Sequence, residues 1–269
     1  MTGRGFEHPY FALPGPWLIA HRGGAALAPE NTLVAFEGAA ALGAEAIETD
    51  VRLSRDGHVM VFHDADTARL CGVSGSIEER TLAEIERLDA GFSFMPAPGG
   101  TFPWRGRGVR VPSLAEVLER FPRMRFNVDA KSRDPALGDA LATLLRRTGT
   151  ADRVCVGSAY RRQSRRLRDL LPEWSRFLPA FAGLAHVLSA WHLFPGSACG
   201  EGFDLAALSR LAAFRPCALS AVMSHFRRRG MPVQVWTVDD EAEMVRLLAA
   251  GVHGLMTDRP DLLAKVMGR

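Results

Sequence analysis

The sequence predicts a TIM-type (β/α)₈ barrel, an α/β fold, and three observations support this. Strand-like and helix-like segments alternate along the chain, which is typical of a parallel sheet with helices packed against it. About eight strands can be counted, and that number in one domain favours a closed barrel over an open sheet. The length of 269 residues is close to the ~250 residues typical of this fold.

The first part of the chain alternates regularly between strands and helices. Residues 17–21 form the first predicted strand, and residues 32–42 form a helix that starts with a capping threonine. Period-two alternation over residues 46–53 predicts the second strand. An Asp-Gly turn then leads into a third predicted strand at residues 58–64.

The alternation breaks at residues 65–110, which we interpret as a small lid-like insertion after the third strand. This segment carries one short helix pattern, at residues 81–88, and a tail rich in glycine and proline. It is too long for a plain connection between two barrel elements. We therefore predict a single domain over residues 1–269, with a barrel core at about residues 17–262.

The alternation resumes after the insertion and continues to the end of the chain, although residues 181–230 are hard to interpret. The predicted elements are a helix from residue 113, strand 125–131, helix 136–148, strand 153–158, helix 161–170, strand 175–180, strand 232–238, helix 240–250 and strand 254–257.

Composition excludes several classes of protein. The net charge is only +3, and no aromatic residues interleave with the arginines clustered at residues 161–168, so no nucleic-acid partner is expected. No apolar run is long enough to span a membrane, and no signal peptide is apparent, which predicts a cytoplasmic protein. The four cysteines form no close pair of the kind that binds zinc or performs thiol redox chemistry.

Ionisable residues occupy strand positions that should be apolar. Barrel strands are buried on both faces, and these residues cluster near the carboxyl ends, where barrel enzymes place their chemistry. The residues are His21, Glu48, Asp50, His63, Asp129 and Lys131, followed near the last strands by Gln234 and Trp236.

The residue types in this set indicate phosphate-ester chemistry. Glu48, Asp50 and Asp129 offer carboxylate oxygens, which suit Mg²⁺ or Ca²⁺ better than zinc. Two histidines beside such an ion suit general acid–base catalysis. Arg22 and Lys131 supply positive charge for an anionic substrate. A small-molecule phosphodiester is the expected partner.

Several motifs, in order, make the chain resemble the glycerophosphodiester phosphodiesterase family. They are LIAHRGGAALAPENTLVAF, GAEAIETDVRLSRDGHVMVFHD, TLAEIERLDAG, VPSLAEVLERF, FNVDAK, VQVWTVDD and GVHGLMTDRP, spread over residues 17–260. The combination of HRG, PENT, E-x-D and HD is specific to this family. The resemblance implies a TIM barrel with an insertion after the third strand, and hydrolysis of glycerophosphodiesters to glycerol 3-phosphate and an alcohol.

The resemblance also implies roles for individual residues. It implies catalytic histidines at His21 and His63, a divalent metal (Mg²⁺ or Ca²⁺) held by Glu48, Asp50 and Asp129, phosphate contacts from Arg22 and Lys131, and a pocket wall at Trp236. One position departs from the family pattern, because Asp129 stands where the family usually has glutamate. The shorter side chain would bring the metal closer to its strand or require a bridging water.

Other interpretations remain open at this stage. Asp50 and Glu48 are also compatible with ion pairs to Arg22 or Arg52, Asp129 with a salt bridge to Lys131, and Trp236 with plain packing. Glu30 and Asn31 of the PENT motif and Asp258 of the TDRP motif are expected to shape their loops. The functional alternatives are a lysophospholipase D that acts on one-chain lipids and a catalytically silent module that binds phosphodiesters.

Overall fold

The structure, a computed structural model, describes residues 8–176, 216–228 and 230–269. Within these ranges one sheet holds eight strands. They are β1 (Trp17–His21), β2 (Ala46–Leu53), β3 (Val59–Val61), β4 (Arg125–Ala130), β5 (Val154–Gly157), β6 (Ser175–Arg176), β7 (Gln234–Val235) and β8 (Gly254–Thr257). Only the first part of the predicted strand 175–180 falls within the described residues.

The strands pair in parallel along the order β6-β5-β4-β2-β1-β8-β7. Helices lie between them in the sequence, as a (β/α)₈ barrel requires. The helices are α1 (Leu33–Ala41), α2 (Ala68–Cys71), α3 (Leu82–Ile85), α4 (Leu114–Arg120), α5 (Ala136–Thr148), α6 (Arg161–Leu170), α7 (Pro216–Arg228), α8 (Glu241–Ala249) and α9 (Pro260–Val266). Among the described residues, no helix is long and apolar enough to cross a membrane.

Side-chain caps explain where several of these helices begin. In each case a side-chain oxygen accepts a hydrogen bond from a backbone N–H in the first turn, which has no partner within the helix. The capping residues are Thr32 for α1, Thr81 for α3, Ser113 for α4 and Asp240 for α8. The threonine cap predicted for the first helix is therefore confirmed.

The prediction for the third strand was wrong in one respect. β3 pairs antiparallel with β2 and lies outside the parallel order, so β4 is the parallel neighbour of β2. The reason is the turn at residues 54–58, where the Ser54 N–H donates to the His58 carbonyl at 2.8 Å. A connection this short can join only antiparallel strands. The parallel sheet therefore continues after the insertion, at β4.

The two faces of the strands belong to different clusters of buried side chains. Alternate residues such as Leu18, Ile47 and Val128 pack with helix residues in the main core. The other face, near the amino ends of the strands, contributes to a second cluster, which we call the base. The base comprises Tyr10, Phe11, Trp17, Ile19, Ala46, Cys155 and Met256.

The segment predicted as an insertion has a core of its own. Buried residues of α2, α3 and their connections, among them Leu70, Cys71, Ile77 and Ile85, pack against Phe62 at the end of β3. The predicted helix at residues 81–88 is shorter than expected, since α3 ends at Ile85. This small core positions α2 beside the carboxyl ends of the strands.

Candidate active site

The sequence-predicted residues meet at the carboxyl ends of the strands. His21, the last residue of β1, is in register with Glu48 of β2, and Asp50 is in register with Asp129 of β4. Because neighbouring parallel residues in register point to the same side, each pair faces the interior together. We call this end of the strands the mouth.

Two cations join the carboxylates of the mouth into one group. The Arg22 Nε lies 3.2 Å from Asp50 Oδ2, and the Lys131 Nζ lies 3.2 Å from Asp50 Oδ1. The same Lys131 ammonium donates to Asp129 Oδ2 at 2.7 Å. Asp50 is therefore held from both sides, and its side chain is only 1% exposed.

Each candidate histidine is oriented by a carboxylate. Nδ1 of His21 lies 2.7 Å from Asp258 Oδ1, and Nδ1 of His63 lies 2.7 Å from Asp64 Oδ1. Because an ionised carboxylate only accepts hydrogen bonds, Nδ1 is the protonated nitrogen in both rings. Nε2 of each ring is then the atom available for proton exchange. Nε2 of His21 lies 3.8 Å from Glu48 Oε2.

The position of His63 depends on the antiparallel strand and on a buried arginine. The Phe62 N–H donates to the Asp50 carbonyl at 2.9 Å, which brings the next residue to the mouth. Nε of Arg52 donates to the His63 carbonyl at 2.8 Å. Burial has the largest influence on the pKa values of Asp50 and Asp129, and proximity to His63 is a smaller one that acts to lower both, so the ring is electrostatically part of the group.

Burial and mutual repulsion separate the pKa values of the three carboxyl groups. Burial, followed by the charge of Asp50, raises the pKa of Glu48 to about 8. Burial also raises the pKa of Asp129, despite the opposing charge of Lys131. Burial acts in the same direction on Asp50, but Lys131 and Arg22 outweigh it and lower the pKa of that group. Burial therefore favours the neutral form of Glu48 and Asp129, whereas Lys131 and Arg22 keep Asp50 ionised.

The carboxylates of the mouth also shift the pKa values of the basic groups beside them. Burial would lower the pKa of His21, but the carboxylates of Glu48 and Asp258 outweigh it and raise the pKa. Burial likewise opposes charge on Lys131, and the carboxylates of Asp50 and Asp129 raise its pKa well above the ordinary lysine value. Lys131 therefore remains an ammonium at neutral pH, as an anion-binding residue requires.

The donor set at the mouth fits a hard divalent cation. Asp129 Oδ1 is buried and accepts no hydrogen bond from the described residues, so it offers an oxygen to a cation. Among the described residues, no three acidic, His or Cys side chains are gathered closely enough to hold an ion in their present positions. The Lys131 ammonium contacts one oxygen of Asp50 and one oxygen of Asp129.

Trp236 lies beside His21 rather than in the core. Its side chain is 38% exposed, and its ring centroid is 6.4 Å from that of His21, with an angle of 30° between the ring planes. A tryptophan that served only to fill space would be buried more completely. The position is that of a wall at the edge of the mouth.

Asn31 has a more direct role than the loop-shaping expected of it. Its side chain is buried, where Nδ2 donates to Asp50 Oδ2 at 2.9 Å and Oδ1 accepts from the Thr49 hydroxyl at 2.7 Å. Its φ of 58° lies in the left-handed region, which asparagine tolerates better than most residues. Asn31 thus holds the Asp50 carboxylate from a third direction.

Sequence reasoning missed four other residues that support the candidate set. Asp258 was assigned to its loop but binds His21, and Asp64 binds His63. Asp258 directly follows the last residue of β8, and Asp64 is the aspartate of the HD motif that follows β3. The rule that places functional polar residues at the carboxyl ends of strands could therefore have included both. The other two, Glu30 and Arg69, lie in a loop and in the insertion.

The ion pairs considered as alternatives are present in part. Arg22 pairs with Asp50, and Lys131 pairs with Asp129, as those alternatives required. Arg52 instead pairs with Glu78 of the insertion, 3.0 Å away. Because Lys131 and Arg22 both reach Asp50, the pairs form one network at the mouth rather than separate structural bridges.

Comparisons with known proteins agree on one family. Residues 21–262 match the glycerophosphoryl diester phosphodiesterase family. A glycerophosphodiester phosphodiesterase of Caldanaerobacter subterraneus is 32% identical over 255 residues, covering 93% of this chain and 97% of the relative.

Solved structures support the same fold. The glycerophosphoryl diester phosphodiesterase domain of a Mycobacterium tuberculosis protein, Rv2277c, superposes with a TM-score of 0.81 at 23% identity, covering 94% of this chain and 99% of that one. An Oleispira antarctica phosphodiesterase in complex with its product, sn-glycerol-3-phosphate, gives a TM-score of 0.70 at 23% identity, covering 94% and 97%. The TIM-barrel class predicted from the sequence is confirmed.

Proposed function

Because the chain belongs to the glycerophosphoryl diester phosphodiesterase family, we propose that it hydrolyses glycerophosphodiesters to glycerol 3-phosphate and an alcohol. The observation that carries this proposal is the pair of carboxylate-oriented histidines, His21 and His63, at a mouth that also holds Arg22 and Lys131. Proton donors and acceptors beside fixed positive charges are what phosphodiester cleavage requires.

The histidines exchange protons with the two oxygens at which bonds form and break. One ring accepts the proton of the attacking oxygen at Nε2 while the new oxygen–phosphorus bond forms. The other ring donates its Nε2 proton to the oxygen of the departing alcohol as the old bond breaks. The attacking oxygen belongs to water or to the glycerol 2-hydroxyl, and detection of a cyclic phosphate intermediate would distinguish these routes.

The cations and the tryptophan bind and orient the substrate. Arg22 and Lys131 contribute charge to the phosphate, Arg22 as a planar fork and Lys131 as a compact ammonium. Trp236, which is partly exposed beside His21, packs against the glycerol or the leaving group. Asp258 and Asp64 keep each imidazole in the Nδ1-protonated form, so that Nε2 faces the substrate.

We propose that Glu48, Asp50 and Asp129 hold one divalent cation, Mg²⁺ or Ca²⁺. The buried Asp129 Oδ1 without a hydrogen bond from the described residues, and the register that brings the three carboxyl groups to one end of the strands, support this assignment. Such an ion supplies charge stabilisation for the phosphoryl oxygens as negative charge grows in the transition state. Lys131, which contacts both Asp50 and Asp129, would lie beside the bound ion.

Release of glycerol 3-phosphate from defined substrates tests the proposal. Purified protein would be treated with a chelator and given glycerophosphocholine, glycerophosphoethanolamine or lysophosphatidylcholine, with Mg²⁺ or Ca²⁺ added back. We expect metal-restored release of glycerol 3-phosphate from the two water-soluble diesters. Cleavage confined to the lysolipid would indicate a lysophospholipase D instead. No cleavage by folded protein with either metal would contradict an enzymatic role.

A further inference from the structure

Arg69 of α2 connects two carboxylates that belong to different parts of the mouth. Its Nη1 and Nη2 donate to Glu30 Oε2 and Oε1 at 3.0 and 2.5 Å, which is the bidentate geometry of a guanidinium on a carboxylate. Its Nε donates to Asp64 Oδ2 at 2.5 Å. All three nitrogens of the guanidinium are therefore engaged, although the side chain is 52% exposed.

Each of the two carboxylates bound by Arg69 also contacts a candidate active-site residue. Glu30 Oε1 also accepts from Arg22 Nη1 at 2.9 Å. Asp64 Oδ1 lies 2.7 Å from Nδ1 of His63. The contacts thus run without a break from Arg22 through Glu30, Arg69 and Asp64 to His63, that is, from a phosphate-binding candidate to a catalytic candidate.

The backbone of Arg69 is held by the core of the insertion. Leu70 and Cys71, the next two residues, are buried in that core, and the Leu70 carbonyl accepts hydrogen bonds from the backbone and hydroxyl of Ser93. Arg69 itself points the other way, toward the carboxyl ends of the strands. The insertion therefore supplies a fixed anchor from which one side chain reaches the mouth.

We propose that Arg69 is a positioning residue, through which the insertion holds His63 and Arg22 in the geometry needed for phosphodiester cleavage. Without the guanidinium, two carboxylates that it brings together would repel each other. Asp64 would then be free to rotate away from His63, and Glu30 from Arg22. This inference rests on the proposed function, because it assumes that His63 and Arg22 act in that reaction.

Substitution of Arg69 should impair turnover more than folding. For Arg69→Ala we expect kcat on glycerophosphocholine to fall about 10- to 100-fold, since small misplacements of catalytic groups have costs of this size. Arg69→Lys should recover only part of the loss, because an ammonium lacks the planar fork that grips two carboxylates at once. It also serves as the folded variant if Arg69→Ala is unstable.

The matched control is Arg110→Ala, which removes another guanidinium of the same segment. Arg110 binds Glu116 through Nη1 and Nη2, and its side chain is 43% exposed. Its ion-pair partners, Glu116 and Glu86, differ from Glu30 and Asp64, the partners of Arg69. We expect this variant to keep wild-type kcat. Added guanidinium ion at millimolar concentration should raise the kcat of Arg69→Ala several-fold and leave that of Arg110→Ala unchanged.

A measurement without substrate separates this inference from the proposed function. Imidazole ¹H–¹⁵N correlation spectra report which ring nitrogen carries the proton. We expect the Nδ1–H form of His63 in the wild type and in Arg110→Ala, and a mixture of tautomers in Arg69→Ala. An unchanged His63 spectrum, or equal kcat for Arg69→Ala and Arg110→Ala, would overturn the role of Arg69. An inactive wild type with the expected spectra would overturn the proposed function alone.

Discussion

The mouth and the base are built on the same strands from opposite kinds of side chain. β2 carries Glu48 and Asp50 at the mouth, whereas nearer its start it carries Ala46, which packs with Ile19 and Tyr10 in the base. All of these side chains are buried. The difference is therefore one of charge and not of exposure, as expected when one end of a barrel binds a ligand and the other closes the fold.

Buried polar side chains have different kinds of partner at the base and at the mouth. Near the base, the Tyr10 hydroxyl donates to Asn127 Oδ1, and Asn127 Nδ2 donates to Gln234 Oε1 at 2.9 Å, so neutral groups meet neutral partners. At the mouth, Asp50 and Asp129 share two cations, Arg22 and Lys131, and one buried oxygen of Asp129 accepts no hydrogen bond from the described residues. Substitutions at the two ends should therefore separate into those that affect stability and those that affect turnover.

The largest expected effect on stability is at Tyr10. Tyr10→Ala removes a fully buried ring that contacts Phe11 and Trp17 and leaves Asn127 without its donor, so we expect a loss of about 3–5 kcal/mol in the free energy of unfolding. Urea denaturation measures the loss. The folded fraction should retain its kcat, and Tyr10→Phe, which removes only the hydroxyl, should be milder. A large loss of kcat with unchanged stability would contradict the assignment of the base to stability and of the mouth to turnover.

The next effect is on turnover and concerns Asp258. Asp258→Asn keeps the shape of the side chain but removes the charge that favours the Nδ1-protonated form of His21. We expect kcat to fall about 10²-fold, a change of about 2.7 kcal/mol in the activation barrier. Asp261→Asn, in the first turn of α9 and paired with Arg259, is the control and should leave kcat unchanged. Equal activity of the two variants would show that Asp258 only shapes its loop.

A third effect concerns His253, whose ring lies 4.7 Å from that of Trp17 at the base. Burial lowers its pKa to about 4, below the ~6.5 of an exposed histidine. The unfolded chain therefore binds more protons between these values, so His253 should lower the free energy of unfolding as the pH falls from 6.5 to 4, by about 2 kcal/mol. Above pH 6.5 its contribution should be constant.

His253→Phe should make the stability profile flatter over that range than the wild-type profile. Urea denaturation at pH 7, 5.5 and 4.5 measures the difference in slope, which is insensitive to any uniform loss of packing. Parallel profiles for the two proteins would show that the pKa of His253 is not depressed in the folded state.

The smallest expected effect is at Asn31. Asn31→Gly tolerates the left-handed backbone but removes the hydrogen bond to Asp50, so we expect about 10-fold weaker binding of Mg²⁺ or Ca²⁺. Isothermal titration calorimetry measures this independently of turnover. Unchanged affinity would indicate that Lys131 and Arg22 alone hold Asp50 in place. Gly57→Ala, at an exposed position of positive φ where an added Cβ would meet no other described atom, would show whether backbone strain by itself alters metal binding.

The mouth could be predicted from the sequence more fully than the base could. Ionisable residues can be recognised in the sequence because they interrupt strands that should be apolar. The parallel arrangement of the strands brings the carboxyl ends of those strands together. All eight predicted residues lie in one connected group, from Trp236 beside His21 to Lys131 between two aspartates. Whether each performs its assigned role remains a prediction.

Two features could not be predicted because they depend on tertiary contacts. The N-terminal segment shows no periodicity, and the burial of Tyr10 arises only when the barrel supplies Asn127, 117 positions away. The partner of Arg69, Glu30, lies 39 positions away, in a different loop. The direction of β3 was predictable in principle, since the short turn that follows β2 excludes a parallel connection.

The most direct test of the central claim, that the mouth performs chemistry and is not merely a buried ion network, uses His21→Asn and His63→Asn. Turnover of glycerophosphocholine and the free energy of unfolding would be measured on the same samples. We predict that kcat falls by about 10²–10⁴-fold in each variant, while the free energy of unfolding changes by no more than about 1 kcal/mol. Near wild-type turnover in either variant, or a loss of activity that merely follows unfolding, would contradict the claim.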